Sequence, residues 1–268
     1  MSFAAFERDG VALRYRDVGE GLPVLFQHGL GGDEAQVAQV FPAAPAVRRI
    51  TLECRGQGGS AFGPPADLSI ATFADDLAAL AGRLGLGPAV VGGISMGAAI
   101  ALRLAVRRPD MARGLILARP AWVDTPAPVN MRPYGLVGEL MAAHEPDEAR
   151  RRFAASAAAA ELAAAAPDNL ASLAGFFARP DPVRFAGLLR AIAADGPDVT
   201  EADIRRIAVP TLVIGHGVDL AHPLVFAQRL AALIPGAVLV EITPKAVDRA
   251  AYEREFRDAL AGFLGRLA

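Results

Sequence analysis

Short apolar runs alternate along most of this chain with stretches whose apolar positions recur three and four residues apart. Residues 23–27, 49–54, 88–92, 114–118, 210–214 and 238–242 are too short for stable helices and are bounded by Gly, Pro or charged residues, so the pattern predicts strands there. Helical spacing is clearest at Ile70, Phe73, Ala74, Leu77, Leu80, Ala81 and Leu84, behind a capping Ser69 and ahead of glycines at 85 and 87. Further helices are predicted over 98–108, closed by Pro109, and over 226–233 and 252–267. At the N-terminus, apolar alternation in 3–6 and 11–15 flanks Asp9-Gly10 and predicts a hairpin.

This alternation breaks after residue 118. A Pro-rich stretch, 120–133, leads into Ala-rich helical sequence such as 154–166, and the strand pattern returns at 210. The expected organisation is an α/β core formed by residues 1–118 and 209–268, with an inserted helical lid over 119–208. Alternating β and α elements imply a mostly parallel central sheet with helices on both faces, and ligands of such sheets collect beyond the carboxyl ends of the strands. Ser95, His28 and Asp219 all fall at that rim.

Composition narrows the function classes. The 268 residues are 53% hydrophobic, enough for one sizeable core, and the formal net charge of -2 offers no basic field for nucleic acid. Cys54 is the single cysteine, so neither an internal disulfide nor a thiolate metal cluster is expected. Glu7, Arg8 and Asp9 interrupt the segment where a leader would be apolar, and no run reaches membrane-spanning length, so cytoplasmic residence without a membrane partner is expected.

Gly93-Ile94-Ser95-Met96-Gly97 lies between a predicted strand and a predicted helix, the context of the G-x-S-x-G elbow that lifts a serine oxygen above a sheet. With this elbow, the glycine-rich His28-Gly29-Leu30-Gly31-Gly32 loop and the strand order, the chain resembles the α/β-hydrolase family over nearly its whole length. That resemblance implies an oxyanion hole from the amides of Leu30 and Met96, a pocket wall that includes His28 and Gly29, and a structural role for the segment from Glu53 to Ser60. It also points to Asp219, after the penultimate strand, as the acid, with Asp124 a second acid position. Trp122, where strand meets insertion, is a further candidate for the pocket wall.

The resemblance fails at one place. Family members carry a histidine after the last strand, and here that loop, 243–248, has none. The four histidines are His28, His144, His216 and His222. His144 lies among acidic residues of the insertion, whereas His222 follows Asp219 by three positions on the rim that carries the nucleophile, so His222 is the expected base. His216 is second choice, and Lys245 could pair with the serine if burial lowered its pKa. The expected function is a cofactor-free serine hydrolase, taking a small, largely apolar ester, lactone or similar acyl compound through an acyl-enzyme on Ser95. Its alternatives are a lyase or cyclase step in the same pocket, or a ligand-binding module lacking an effective base. A positioned base contributes about 10² to 10⁴ in rate, so the placement of His222 decides between them.

Overall fold

A computed structural model describes residues 3–43 and 45–268. The Asp9-Gly10 turn joins β1 (Ala4–Arg8) to β2 (Val11–Val18), with both turn residues at positive φ as a tight two-residue hairpin requires. The apolar runs become β3 (Leu22–Gln27), β4 (Val47–Leu52), β5 (Ala89–Ile94), β6 (Ala112–Ala118), β7 (Thr211–Gly215) and β8 (Val238–Glu241). Among the described residues they form one sheet in the order β1-β2-β4-β3-β5-β6-β7-β8, antiparallel at β1/β2 and β2/β4 and parallel from β4 onward.

Period-two alternation splits the apolar side chains of the central strands between two cores. Val24, Phe26, Val90, Ile116, Leu212 and Ile214 face α1 (Glu34–Val40) and the C-terminal helix, whose Phe256 and Leu260 are fully buried there. Leu25, Val91, Leu115, Leu117 and Val213 face the other way, toward α2 (Ile70–Arg83) and α3 (Met96–Arg107). Burying each such side chain contributes about 1.5–3 kcal/mol, so both faces of the sheet are fixed and only its carboxyl rim stays open to a ligand.

Between β6 and β7 the chain builds α4 (Arg132–Ala143), α5 (Pro146–Ala154), α6 (Ala157–Ala165), α7 (Pro167–Gly175), α8 (Pro182–Ala194) and the short α9 (Glu201–Ile204). The alanine-rich stretch 154–166 holds the end of α5 and the whole of α6, with a break at Ser156. Ser156 ends the first by donating to the Phe153 carbonyl and starts the second by accepting from the Ala159 amide. Beyond β7 come α10 (Leu224–Leu233), β8 and α11 (Arg249–Leu264). No helix among the described residues is long and apolar enough to cross a membrane.

The elbow is where three elements meet backbone to backbone. A Cβ on Gly97 would stand 2.4 Å from the Gln27 carbonyl oxygen, and one on Gly93 would stand 2.5 Å from the Gly97 carbonyl carbon. Neither neighbour is a flexible side chain, so both positions require glycine to let α3 start directly against the end of β3. Gly97→Ala is therefore expected to lower the unfolding free energy by about 1–3 kcal/mol in urea melts. Gly82→Ala, in α2 with open space around the added methyl, should raise it by about 0.5–1 kcal/mol. Equal destabilisation of the two variants would contradict this account of the elbow.

Candidate active site

Ser95 sits between β5 and α3 at φ 57° and ψ −111°, a conformation that L side chains rarely adopt. Its amide donates to the Ala118 carbonyl at 2.9 Å, tying the strained turn to the neighbouring strand. Arg119 (φ 47°) and Val218 (φ 56°) share the left-handed region, so three of the six positive-φ residues other than glycine among the described residues cluster at this rim. Strain of about 1–3 kcal/mol per such residue persists only where the surroundings enforce it.

His222 reaches the serine. Its Nε2 lies 2.8 Å from Ser95 Oγ, and its Nδ1 lies 2.9 Å from both carboxylate oxygens of Asp219. The three-residue spacing works because the His222 backbone amide also donates to Asp219 Oδ1 at 3.1 Å, folding the loop into a turn that sets carboxylate and ring edge to edge. Two carboxylate oxygens against Nδ1 place the proton there, which leaves the Nε2 lone pair directed at the serine hydroxyl.

Arg119, at the carboxyl end of β6, completes the arrangement and was not anticipated. Its Nε and Nη2 donate to Asp219 Oδ2 at 2.9 and 2.6 Å, its Nη2 stands 3.1 Å from His222 Nδ1, and its Nη1 is 3.4 Å from the Tyr252 hydroxyl on α11. A charged side chain directly after an apolar strand, in Ala118-Arg119-Pro120, is the signal that sequence offers for it. Burial alone would raise the Asp219 pKa, but the charges of His222 and Arg119 and the bond to His222 outweigh it and hold the carboxyl below the ordinary aspartate range. His222 is held below the ordinary histidine value, first by burial and then by Arg119, against the opposing pull of Asp219.

The glycine-rich loop after β3 has its amides sorted. Gly29 N donates to Gln36 Oε1 at 2.7 Å, Gly31 N to Gln57 Oε1 at 2.7 Å, and Gly32 N to the Gly29 carbonyl at 2.9 Å. The amides of Leu30 and Met96 have no acceptor among the described residues, and Leu30 shares the wall of one chamber with Ser95. That is the disposition an oxyanion hole needs. Glu53, in the segment after β4, accepts from Arg14 and from the Gly59 amide.

Several expected residues lie elsewhere. His28 is fully buried with both ring nitrogens engaged: Nε2 accepts from Cys54 N at 3.0 Å and Nδ1 donates to the Gly29 carbonyl at 2.8 Å, so it shapes the loop and offers no surface to a ligand. Trp122, 1% exposed, turns away from the rim and donates to the Asp195 carbonyl at 2.8 Å, so it is a packing residue and not a pocket wall. His216 stands on the far side of Asp219, with Nε2 3.6 Å from Oδ2 and its ring edge-on to Tyr252, out of line with the serine. Lys245 does not line the chamber, because Glu255 draws the loop after β8 onto α11 through Thr243 N and Oγ1, at 2.6 and 3.1 Å. Asp124 pairs with Arg229 at 3.2 Å and Asp219 alone serves His222.

The chamber around Ser95 measures about 290 Å³ and is walled by Leu30, Gln36, Arg119, Tyr134, Asn169, Ser172, Phe176, Arg179 and His222 among others. Its walls are more polar than a largely apolar substrate would call for. A second cavity of about 480 Å³ lies on the other side of Tyr134 and Asn169, lined mainly by aliphatic and aromatic side chains such as Leu162, Leu173, Leu220 and Phe226. No group of three or more His, Cys, Asp or Glu among the described residues is arranged to hold a metal ion.

Comparison with known proteins places this geometry in a family. Residues 23–246 match the family model described as the alpha/beta hydrolase fold. The protein named "Putative carbamate hydrolase RutD" of Pseudomonas savastanoi pv. phaseolicola is 30% identical over 223 residues, 81% of this chain and 83% of that one. Among solved structures, a thermophilic esterase from Thermogutta terrifontis is 26% identical with a TM-score of 0.75, covering 100% of this chain and 99% of its own. Est816, described as an N-acyl homoserine lactone degrading enzyme, is 27% identical with a TM-score of 0.71, over 97% of this chain and 100% of its own. The elbow, the sheet order and a family match across most of its length together make this chain a member of the α/β-hydrolase family.

Proposed function

We propose that the protein is a serine hydrolase of small esters or lactones. The observation that carries this reading is the 2.8 Å approach of His222 Nε2 to Ser95 Oγ, with Nδ1 backed by Asp219 at 2.9 Å. Ser95 Oγ attacks the substrate carbonyl while its proton passes to His222 Nε2, and the resulting oxyanion is received by the amides of Leu30 and Met96. Collapse breaks the C–O bond, the leaving alkoxide takes the proton back from His222, and the acyl group stays on Ser95. Water then attacks the acyl-enzyme with His222 again accepting a proton, and the acid leaves as that proton returns to Ser95 Oγ. In a lactone the alcohol and the acid are two ends of one product.

The likeness to the esterase and to the lactone-degrading Est816 supports ester and lactone chemistry. A second reading, carbamate hydrolysis, is favoured by the RutD likeness over 81% of the chain and would run through a carbamoylated Ser95 by the same proton transfers.

Incubation with a fluorophosphonate probe should label the protein at Ser95, with labelling lost in Ser95→Ala. An unlabelled wild-type protein would remove the hydrolase reading. On short aryl esters and lactones, His222→Ala is expected to lower kcat by about 10² to 10⁴ with folding intact by circular dichroism. Lys245→Ala should leave turnover within about twofold, because its loop is held on α11. A large Lys245 effect with a small His222 effect would reverse the assignment.

Arg119 makes the pH profile informative. His222 acts as base only when neutral, so a folded-state pKa below the ordinary histidine value keeps kcat/KM high at pH values where an unperturbed histidine would already be protonated. Removing the Arg119 charge stabilises the imidazolium and raises that pKa. The acid limb of kcat/KM is therefore expected to move to higher pH in Arg119→Met and to stay near the wild-type position in Arg119→Lys. A limb unmoved in Arg119→Met would show that this guanidinium does not act on the base.

A further inference from the structure

Resting on the serine-hydrolase reading, we propose that the chamber above Ser95 contains a carboxylate-binding subsite centred on Arg179, and that the preferred substrates are small acyl compounds carrying a free carboxylate beyond the reacting carbonyl.

Arg179 comes from the segment between α7 and α8. Its guanidinium stacks at 5.0 Å from the Phe185 ring centroid and 5.8 Å from that of Phe176, which fixes the plane of the fork. One Nη2 hydrogen bond goes to the Gly31 carbonyl, next to the oxyanion-loop residue Leu30. The remaining N–H donors have no acceptor among the described residues, and no carboxylate stands within ion-pair distance of this side chain. The other arginine of the chamber, Arg119, is already neutralised by Asp219. Among the described residues no Asp or Glu lines the chamber, so its walls keep one uncompensated positive charge.

The amide side chains point to the same chemistry. Gln36 gives its Oε1 to the Gly29 amide at 2.7 Å, and Asn169 gives its Oδ1 to the Ala221 amide at 2.9 Å. Only the oxygens can accept from backbone N–H groups, so the ends of both side chains left over are NH₂ donors, and neither has an acceptor among the described residues. A chamber furnished with a guanidinium fork and two spare amide donors, and with no acid, suits a group made only of acceptors. The planar fork matches a carboxylate bidentately. At about 290 Å³ the chamber also limits the ligand to a short chain, so the carboxylate lies a few bonds from the carbonyl attacked by Ser95.

The test compares 4-nitrophenyl hydrogen glutarate with its methyl ester, which has the same reacting bond without the charge. The wild-type protein is expected to favour the acid at least about tenfold in kcat/KM. Arg179→Gln should lower kcat/KM for the acid by about 10- to 100-fold and leave the methyl ester within about twofold, with Arg179→Lys in between. No preference in the wild type, or equal losses on both esters in Arg179→Gln, overturns the subsite. Should neither ester be turned over, the hydrolase reading fails, and the subsite is judged separately by calorimetric titration of glutarate into Ser95→Ala. Saturable binding that disappears in Ser95→Ala/Arg179→Gln supports it, and no binding at millimolar glutarate refutes it.

Discussion

The buried carboxylate of Asp219 is the group on which the rest of this site depends. Four donors converge on it: the imidazole and backbone amide of His222, and two N–H groups of Arg119. A lone carboxylate at this depth would protonate and release the ring, because desolvation of an unpaired charge costs several kcal/mol. With Arg119 beside it the charge is retained, and the direction of the imidazole follows. Tyr252 closes the assembly from α11, with its hydroxyl toward Arg119 and its ring against His216.

Much of the fold could be read from the pattern of apolar positions, since the parallel strands are short apolar runs and α2 shows three-four spacing, while the short α1 is not among the elements the sequence predicts. The elbow was equally plain, because the glycines at 93 and 97 are dictated by backbone contacts within a few residues of Ser95. Asp219 follows from the family resemblance and His222 from its place among the four histidines, three residues further along the same rim, where a single turn brings the two together. Arg119, Arg179, Gln36 and Asn169 were not legible in this way. Their roles arise from contacts 100, 148, 7 and 52 residues away in sequence, where only the folded chain decides which atoms meet. Trp122, from its place where strand meets insertion, and His28, from the family resemblance, are expected in the pocket wall, but neither place in the chain nor resemblance tells which way a ring turns. In each case a backbone group captured it.

The support beneath the glycine-rich loop after β3 comes in part from the segment after β4 that the family resemblance marks as structural. Gln57 holds the Gly31 amide and Gln36 the Gly29 amide, so the loop cannot rotate without breaking these hydrogen bonds, while Glu53 gathers Arg14 with the Gly59 amide in the neighbouring turn. His28, its pKa lowered by burial, joins the end of β3 to the segment after β4 through Cys54. Rigid backbone donors of this kind need no reorganisation when charge develops on the substrate.

β8 is the outermost strand on its side of the sheet, short and with Val238 48% exposed. Outer strands open and close more readily than inner ones, and any residue hung from them inherits that breathing. Here His222 hangs instead from the loop after β7, whose strand is flanked on both sides and fully buried. Transient fraying at the rim of the molecule therefore leaves the Asp219 carboxylate and the His222 imidazole in register, since a span of four residues, and not the spacing between two separate loops, sets their separation.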